Sequence, residues 1–165
     1  MTVLVDEVQQ WNTPAIGAFL LWNFTKGYYH AKGDAPVALL HFMALPILTN
    51  KDLIAPVNNH RSNLQSYVRH FENNKESDIL LTIHERASTS RHHTLSSINI
   101  AISTGLLVWD VEDGKLYARE TVKRAGKGKG LKQSYKTIGN KSELLGKWFA
   151  EHSTATIATY LKVVL

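Results

Sequence analysis

Apolar positions crowd the first third of the chain and thin into narrower stripes further on. Asn12-Thr13-Pro14 opens the first predicted helix. Asn12 or Thr13 can cap it, and Pro14 suits the first helical position, where a missing N–H loses no partner. The run from Ala15 to Thr25 is apolar on almost every side, so it has to be buried on most faces. Gly27 reads as its end. A second helix is expected from Asp34, with Pro36 just inside, through Leu45. Pro46 pushes the residue before it away from helical geometry, which predicts a kink or stop there and a brief continuation from Ile47 to Asn50.

From Ser62 the pattern turns amphipathic. Leu64, Tyr67, Val68 and Phe71 follow the i, i+3, i+4, i+7 spacing of one helical face. Asn73-Asn74-Lys75 breaks that helix. Ser77 or Asp78 can cap the next, whose apolar residues are Ile79, Leu80 and Ile83. After the polar turn Ser88-Thr89-Ser90, a further helix is predicted from about Arg91 to Ser103, with Leu95, Ile98, Ala101 and Ile102 inward and Gly105 just beyond its end. Residues 106–111 and 115–119 are rich in strand formers and flank Glu112-Asp113-Gly114. Asp-Gly in that setting predicts a hairpin with a tight type I′ turn. Ala125 to Gly130 alternates Gly and Lys and cannot build a core, so it reads as a loop. A last helical region starts near Ser142, with Leu144, Leu145, Trp148 and Phe149 on its apolar face. After His152-Ser153-Thr154 a short helix closes the chain.

The expected fold is mostly α with one β-hairpin, of the α+β class. Helix, helix, helix and hairpin over 62–119 is the order of a winged-helix-like domain, the hairpin being the wing. An apolar helical hairpin at 12–50 precedes it, a basic Gly/Lys loop at 121–137 follows, and helices at 142–165 end a single domain of 165 residues. That length can bury a sizeable core without staples. The chain lacks cysteine, which excludes disulfides, thiolate nucleophiles and Cys-bearing zinc sites. A reducing cytosol fits, and a cytoplasmic location is expected. No apolar run approaches the roughly 18 residues of a membrane span, and the acidic start predicts no signal peptide.

Charge is unevenly placed. The net charge is +5, yet Thr121 to Lys147 alone holds eight basic residues and one acid, Glu143. The rest of the chain carries 11 basic and 13 acidic residues. Such a segment is either a solvated loop or a contact for a polyanion. Lys123, Arg124, Lys127, Lys129, Lys132 and Lys136, together with Arg91, are the candidate nucleic-acid contacts, suited to phosphates rather than to fixed base readout.

Candidate chemistry is sparse. None of the eight histidines has a partner at i+3 or i+4, and HExxH is absent, so no helical zinc pair is expected. They read as surface or helix-end residues. Glu112-Asp113 lies at a turn, and Asp78 suits an N-cap. GxSxG, GxxxxGK[ST] and GxGxxG are all missing. No cofactor, metal or catalytic residue is expected. Trp22, Phe24, Tyr28, Phe42, Trp148 and Phe149 are either core residues or protein-docking hot spots, where large aromatics concentrate. The all-round apolarity of the first helix favours docking, with a partner subunit covering one face.

Several segments carry a resemblance. They are Asn12-Thr13-Pro14-Ala15 with Trp22-Asn23-Phe24-Thr25-Lys26-Gly27-Tyr28, then Leu39 to Ile47, Leu145-Gly146-Lys147-Trp148-Phe149-Ala150, and Tyr160-Leu161-Lys162-Val163. Together they resemble the small middle component of bacterial three-component ABC systems, the class that includes Lamassu-type anti-phage defence. The resemblance implies a non-catalytic adaptor between an SMC- or Rad50-like ATPase and an effector, often a nuclease. Such a complex senses foreign DNA, so double-stranded DNA joins the two subunits as an expected partner, and no membrane is implied. The residues that match are structural or docking ones.

Two other readings stand beside it. A self-standing winged-helix transcription regulator would open its recognition helix with Arg91, His92, His93 and Thr94. An unfamiliar enzyme has no motif in its favour.

Overall fold

In the computed structural model, which describes residues 13–119 and 133–165, the Thr13 hydroxyl accepts the Ile16 N–H at 3.3 Å and starts helix α1, Pro14–Lys32. The helix does not end at Gly27. It runs on to Gly33, whose φ of 75° and N–H bond to the Tyr29 carbonyl make the left-handed cap that glycine tolerates. Gly27 serves another purpose: a Cβ there would strike the backbone of Glu143 on a neighbouring helix.

Helix α2, Ala38–Leu48, begins later than Asp34 because the residues before it are bonded in extended form to the later hairpin. Val37 forms a bridge to Lys115, the Leu116 N–H reaches the Pro36 carbonyl at 3.1 Å, and the Ala38 N–H reaches Gly114 at 2.9 Å. The Asp34 carboxylate accepts from Lys115 Nζ at 2.8 Å, which lowers the pKa of the acid and raises that of the lysine. Pro46 lies inside α2 and does not stop it. Tertiary burial overrides the local penalty, since every residue from Met43 to Leu48 is buried. Asn50 then caps the single turn α3, Lys51–Ile54.

Helix α4, Leu64–Asn73, buries the four residues its spacing picked out. The Tyr67 hydroxyl donates to the Leu53 carbonyl at 2.6 Å, which ties α4 to α3. Helices α5, Ser77–Thr89, and α6, Arg91–Ser103, are parted only at Ser90. On α6 the inward residues are Thr94, Ser97, Ile98 and Ala101, while Leu95 and Ile102 stay about two-fifths exposed. The expected inner face is therefore corrected by one step around the helix.

Strands β1, Leu107–Asp110, and β2, Lys115–Ala118, pair antiparallel, with Leu107 opposite Ala118 and Val108 opposite Tyr117. The hairpin is as expected but its turn is not. Four residues, 111–114, join the strands. Gly114 has a φ of 65° while Asp113 is not at positive φ, so no type I′ pair forms. The Asp110 carboxylate instead accepts the Glu112 N–H at 3.0 Å and the Asp113 N–H at 3.4 Å, turning the chain through its side chain.

Helix α7, Gln133–Ala150, starts well before Ser142, and α8, Thr154–Tyr160, is capped by Ser153. α1 is the spine of the molecule. It packs along α7, crosses α6, and touches α2 and β2. α6 leans chiefly on α1, and α5 chiefly on α2. The core runs between these layers, from Leu20, Leu21 and Phe24 through Leu45 and Ile47 to Leu145 and Trp148. Among the described residues no helix is long and apolar enough to cross a membrane.

Candidate functional site

The aromatic candidates divide by depth. Phe24, Tyr28, Trp148 and Phe149 are buried within this chain. Phe24 meets Phe149 edge-on with ring centroids 5.3 Å apart, and Trp148 lies 5.9 Å from the Tyr67 ring. These four form core, and the docking reading of them is corrected on that ground. The all-round apolarity of α1 is satisfied by α7, α6, α2 and the hairpin of the same chain.

Trp22 and Phe42 are only partly buried. Trp22 is nevertheless committed. Its indole N–H donates to the Arg119 carbonyl at 2.9 Å, which anchors the end of β2 on α1. Lys26 Nζ sits 3.7 Å from the centre of the same indole and 3.3 Å from the Glu143 carboxylate on α7. One lysine thus links an aromatic face on its own helix to an acid on the next.

The α1–α7 seam is unusually close because glycines meet there. A Cβ on Gly146 would collide with the Phe24 carbonyl and lie 2.8 Å from the Tyr28 nitrogen. With Gly27 facing Glu143, the two helices approach backbone to backbone.

A trough opens beside that seam, between the C-terminal half of α1, the connection after α3, and α7. It holds about 560 Å³ and is lined by Gly27, His30, Ala31, His60, Asn140, Glu143, Leu144 and Lys147. A second hollow of about 280 Å³, lined by Val57, Asn58, Thr137 and Lys141 among others, shares His60, Asn140 and Leu144 with it. Lys141 Nζ donates to the carbonyls of Ile54 and Ala55 at 3.3 and 3.4 Å and fixes the far wall to α7. Glu143 is the acid of the lining, and Lys26 meets it. Neither Lys136 nor Lys147 forms an ion pair among the described residues. Eleven residues apart, they fall within about 20° of each other on α7.

Of the basic candidates, Lys136 is exposed on the first turn of α7 and Arg91 is exposed at the start of α6. Lys123, Arg124, Lys127, Lys129 and Lys132 lie outside the described residues. His30, His60, Asn140, Lys141 and Lys147 were not singled out from the sequence. The basic count over 121–147 already contained both lysines, but the gathering of α1, a loop and α7 around one trough has no local signature. His41 also departs from the surface reading of the histidines, since it is fully buried. Among the described residues no group of His, Asp and Glu could hold a metal ion.

No curated protein and no solved structure matches the chain. A family model does: that of ABC-three component (ABC-3C) system Middle Component 3 matches residues 1–165, so the chain belongs to that family of middle components.

Proposed function

We propose that this middle component is a non-catalytic adaptor that bridges an SMC- or Rad50-like ABC ATPase and an effector, a nuclease in kind, within a cytoplasmic complex that defends bacteria against phage and plasmid DNA, as Lamassu-type systems do. The observation that carries the reading is the family match over residues 1–165, because a middle component implies subunits on either side of it. The absence of catalytic sequence motifs supports the non-catalytic part. The order α4, α5, α6 and hairpin supports reading 62–119 as winged-helix-like, with β1 and β2 as the wing. The basic residues of 121–136, together with exposed Arg91, would hold DNA phosphates of the assembled complex without regard to sequence.

The test is co-expression with the ATPase and effector candidates encoded beside this chain's gene, where the adaptor reading expects them, followed by affinity capture of the tagged middle component. The adaptor reading expects both to be retained in one complex, and retention to weaken when partly exposed Phe42 is changed to Ala. A clean dimer that ignores both products and binds one DNA sequence in preference would instead make it a winged-helix regulator.

A further inference from the structure

We infer that the trough between α1 and α7 is a docking site for an acidic segment of a partner chain, a polypeptide stretch in which Asp and Glu flank a small apolar side chain. The inference rests on the adaptor reading only for the existence of partners. Charge selects the occupant. Lys147 lines the trough, Lys141 lines the hollow that adjoins it, Lys136 lies on the same side of α7 as Lys147, and Glu143, the acid of the lining, is met by Lys26 from α1. An anionic partner is therefore attracted, and no fixed carboxylate of the lining is left to repel it.

Shape selects among anions. The floor, the buried part of the lining, is apolar, with Gly27 and Leu144 in the trough and Val57 in the hollow that adjoins it, and the exposed rim offers the amide of Asn140 and the imidazole of His60. A side chain of Ala or Leu size can rest on that floor while carboxylates reach the rim. A phosphodiester backbone has no apolar group to place there. The trough is also open to solvent, so a small ligand would leave much of its surface in water, unlike the occupants of true ligand pockets. A chain segment that carries its own scaffold loses little by that. Rigidity favours the site as well. The glycine seam fixes α1 against α7, and the bonds from Lys141 to Ile54 and Ala55 hold the third wall, so the backbone on this side needs little reordering when the segment docks and the cost falls on exposed side chains such as Lys136 and Lys147.

The experiment uses the full-length chain and a fluorescein-labelled dodecapeptide of Glu, Asp and Leu, read by fluorescence anisotropy. A Gln, Asn and Leu peptide and a labelled DNA duplex serve as the other probes. Saturable binding of the acidic peptide is expected. It should weaken about tenfold in Lys136→Glu/Lys147→Glu, as two exposed charge reversals allow. It should tighten in Asn140→Lys and stay unchanged in Arg69→Glu/Arg86→Glu, an equal charge change at exposed positions of α4 and α5. Equal binding of the neutral peptide, or indifference to the α7 reversals, overturns the proposal. So does binding of the duplex alone through these lysines, which would make the trough a phosphate contact. Co-purification separates the two readings. Retained partners with no peptide binding sink the trough alone, while peptide binding without retained partners sinks the adaptor.

Discussion

Thr25 on α1 and His41 on α2 share a hydrogen bond of 2.9 Å between side chains that are both fully buried. The other ring nitrogen of His41 faces the carbonyls of Val37 and Ala38, each at 3.3 Å, so Nδ1 carries the ring proton. Nε2 then accepts from the Thr25 hydroxyl, whose single proton is shared with the Leu21 carbonyl 2.7 Å away. A neutral imidazole thereby joins the first two helices across a dry interface.

That burial makes the fold sensitive to acid. Desolvation lowers the His41 pKa to about 4, against the small opposing pull of the Val37 and Ala38 carbonyls. The unfolded chain, with an ordinary histidine, binds more protons as pH falls. Stability therefore declines below about pH 6.5, and the decline from this group levels off near pH 4. At pH 5 the loss is on the order of 2 kcal/mol. Urea unfolding of the parent and of His41→Gln at pH 7 and pH 5 checks it, because His93 and the acids titrate equally in both proteins. The two should differ in stability far less at pH 5 than at pH 7. An equal difference at both values would mean that His41 does not titrate on unfolding.

The glycines of the α1–α7 seam give the second expectation. Alanine favours a helix over glycine by about 1 kcal/mol, so Gly27→Ala and Gly146→Ala would stabilise an unobstructed helix. Here each new methyl meets backbone, which cannot rotate away. Overpacking of this kind costs about 1–3 kcal/mol, and the net effect should be destabilising in both. Chemical denaturation reads it directly. A gain in stability from either change would show the seam to be looser than described.

The same close approaches explain where the sequence was legible. The stripe Leu64, Tyr67, Val68 and Phe71 was readable because α4 buries one face against larger side chains, and size and spacing then coincide with burial. On α6 they do not. Gly17 of α1 comes so near Ser97 that a Cβ at Gly17 would strike the Ser97 hydroxyl, so only small residues fit between the helices, and Leu95 and Ile102 turn outward. A rule that sorts by hydrophobicity keeps Ile98 and Ala101 but displaces such a face by one step. Gly27 misled in the same manner: a glycine that permits close packing looks, from sequence alone, like one that ends a helix. The trough was invisible for a different cause, because its walls come from residues near 30, 60 and 140 that only the tertiary fold assembles.

The turn of the hairpin makes a third prediction. Nothing lies within 4 Å of where a Cβ on Gly114 would be, so a substitution there meets no neighbour. Only the φ of 65° resists it. Gly114→Val should cost about 1–2 kcal/mol from left-handed strain, and Gly114→Asn distinctly less, since Asn tolerates that region. For a chain of this size about 1 kcal/mol moves the melting temperature by roughly 2–4 °C. Thermal melts that rank Asn with Val would point to a steric obstacle rather than to backbone strain.

Phe24 and Phe149 supply the last. Their rings meet at 86° with centroids 5.3 Å apart, the edge-to-face arrangement in which the positive rim of one ring meets the negative face of the other. Phe24→Ala alone should cost about 3–5 kcal/mol, enough to consume much of the stability of a domain. A gentler pair, Phe24→Leu and Phe149→Leu with the double variant, keeps the chain folded and isolates the contact. The aromatic pair should contribute a coupling of about 0.5–1.5 kcal/mol beyond area burial. His41 also touches the Phe24 ring edge-on, with centroids 5.4 Å apart, so the cycle is best run at pH 8, where an ordinary histidine is almost wholly neutral and the imidazole therefore carries little charge in either state of the chain. A coupling near zero would place the two rings out of contact. Because Phe24 stands on α1 and Phe149 on α7, that result would also undo the helix pairing on which both the seam and the trough beside it depend.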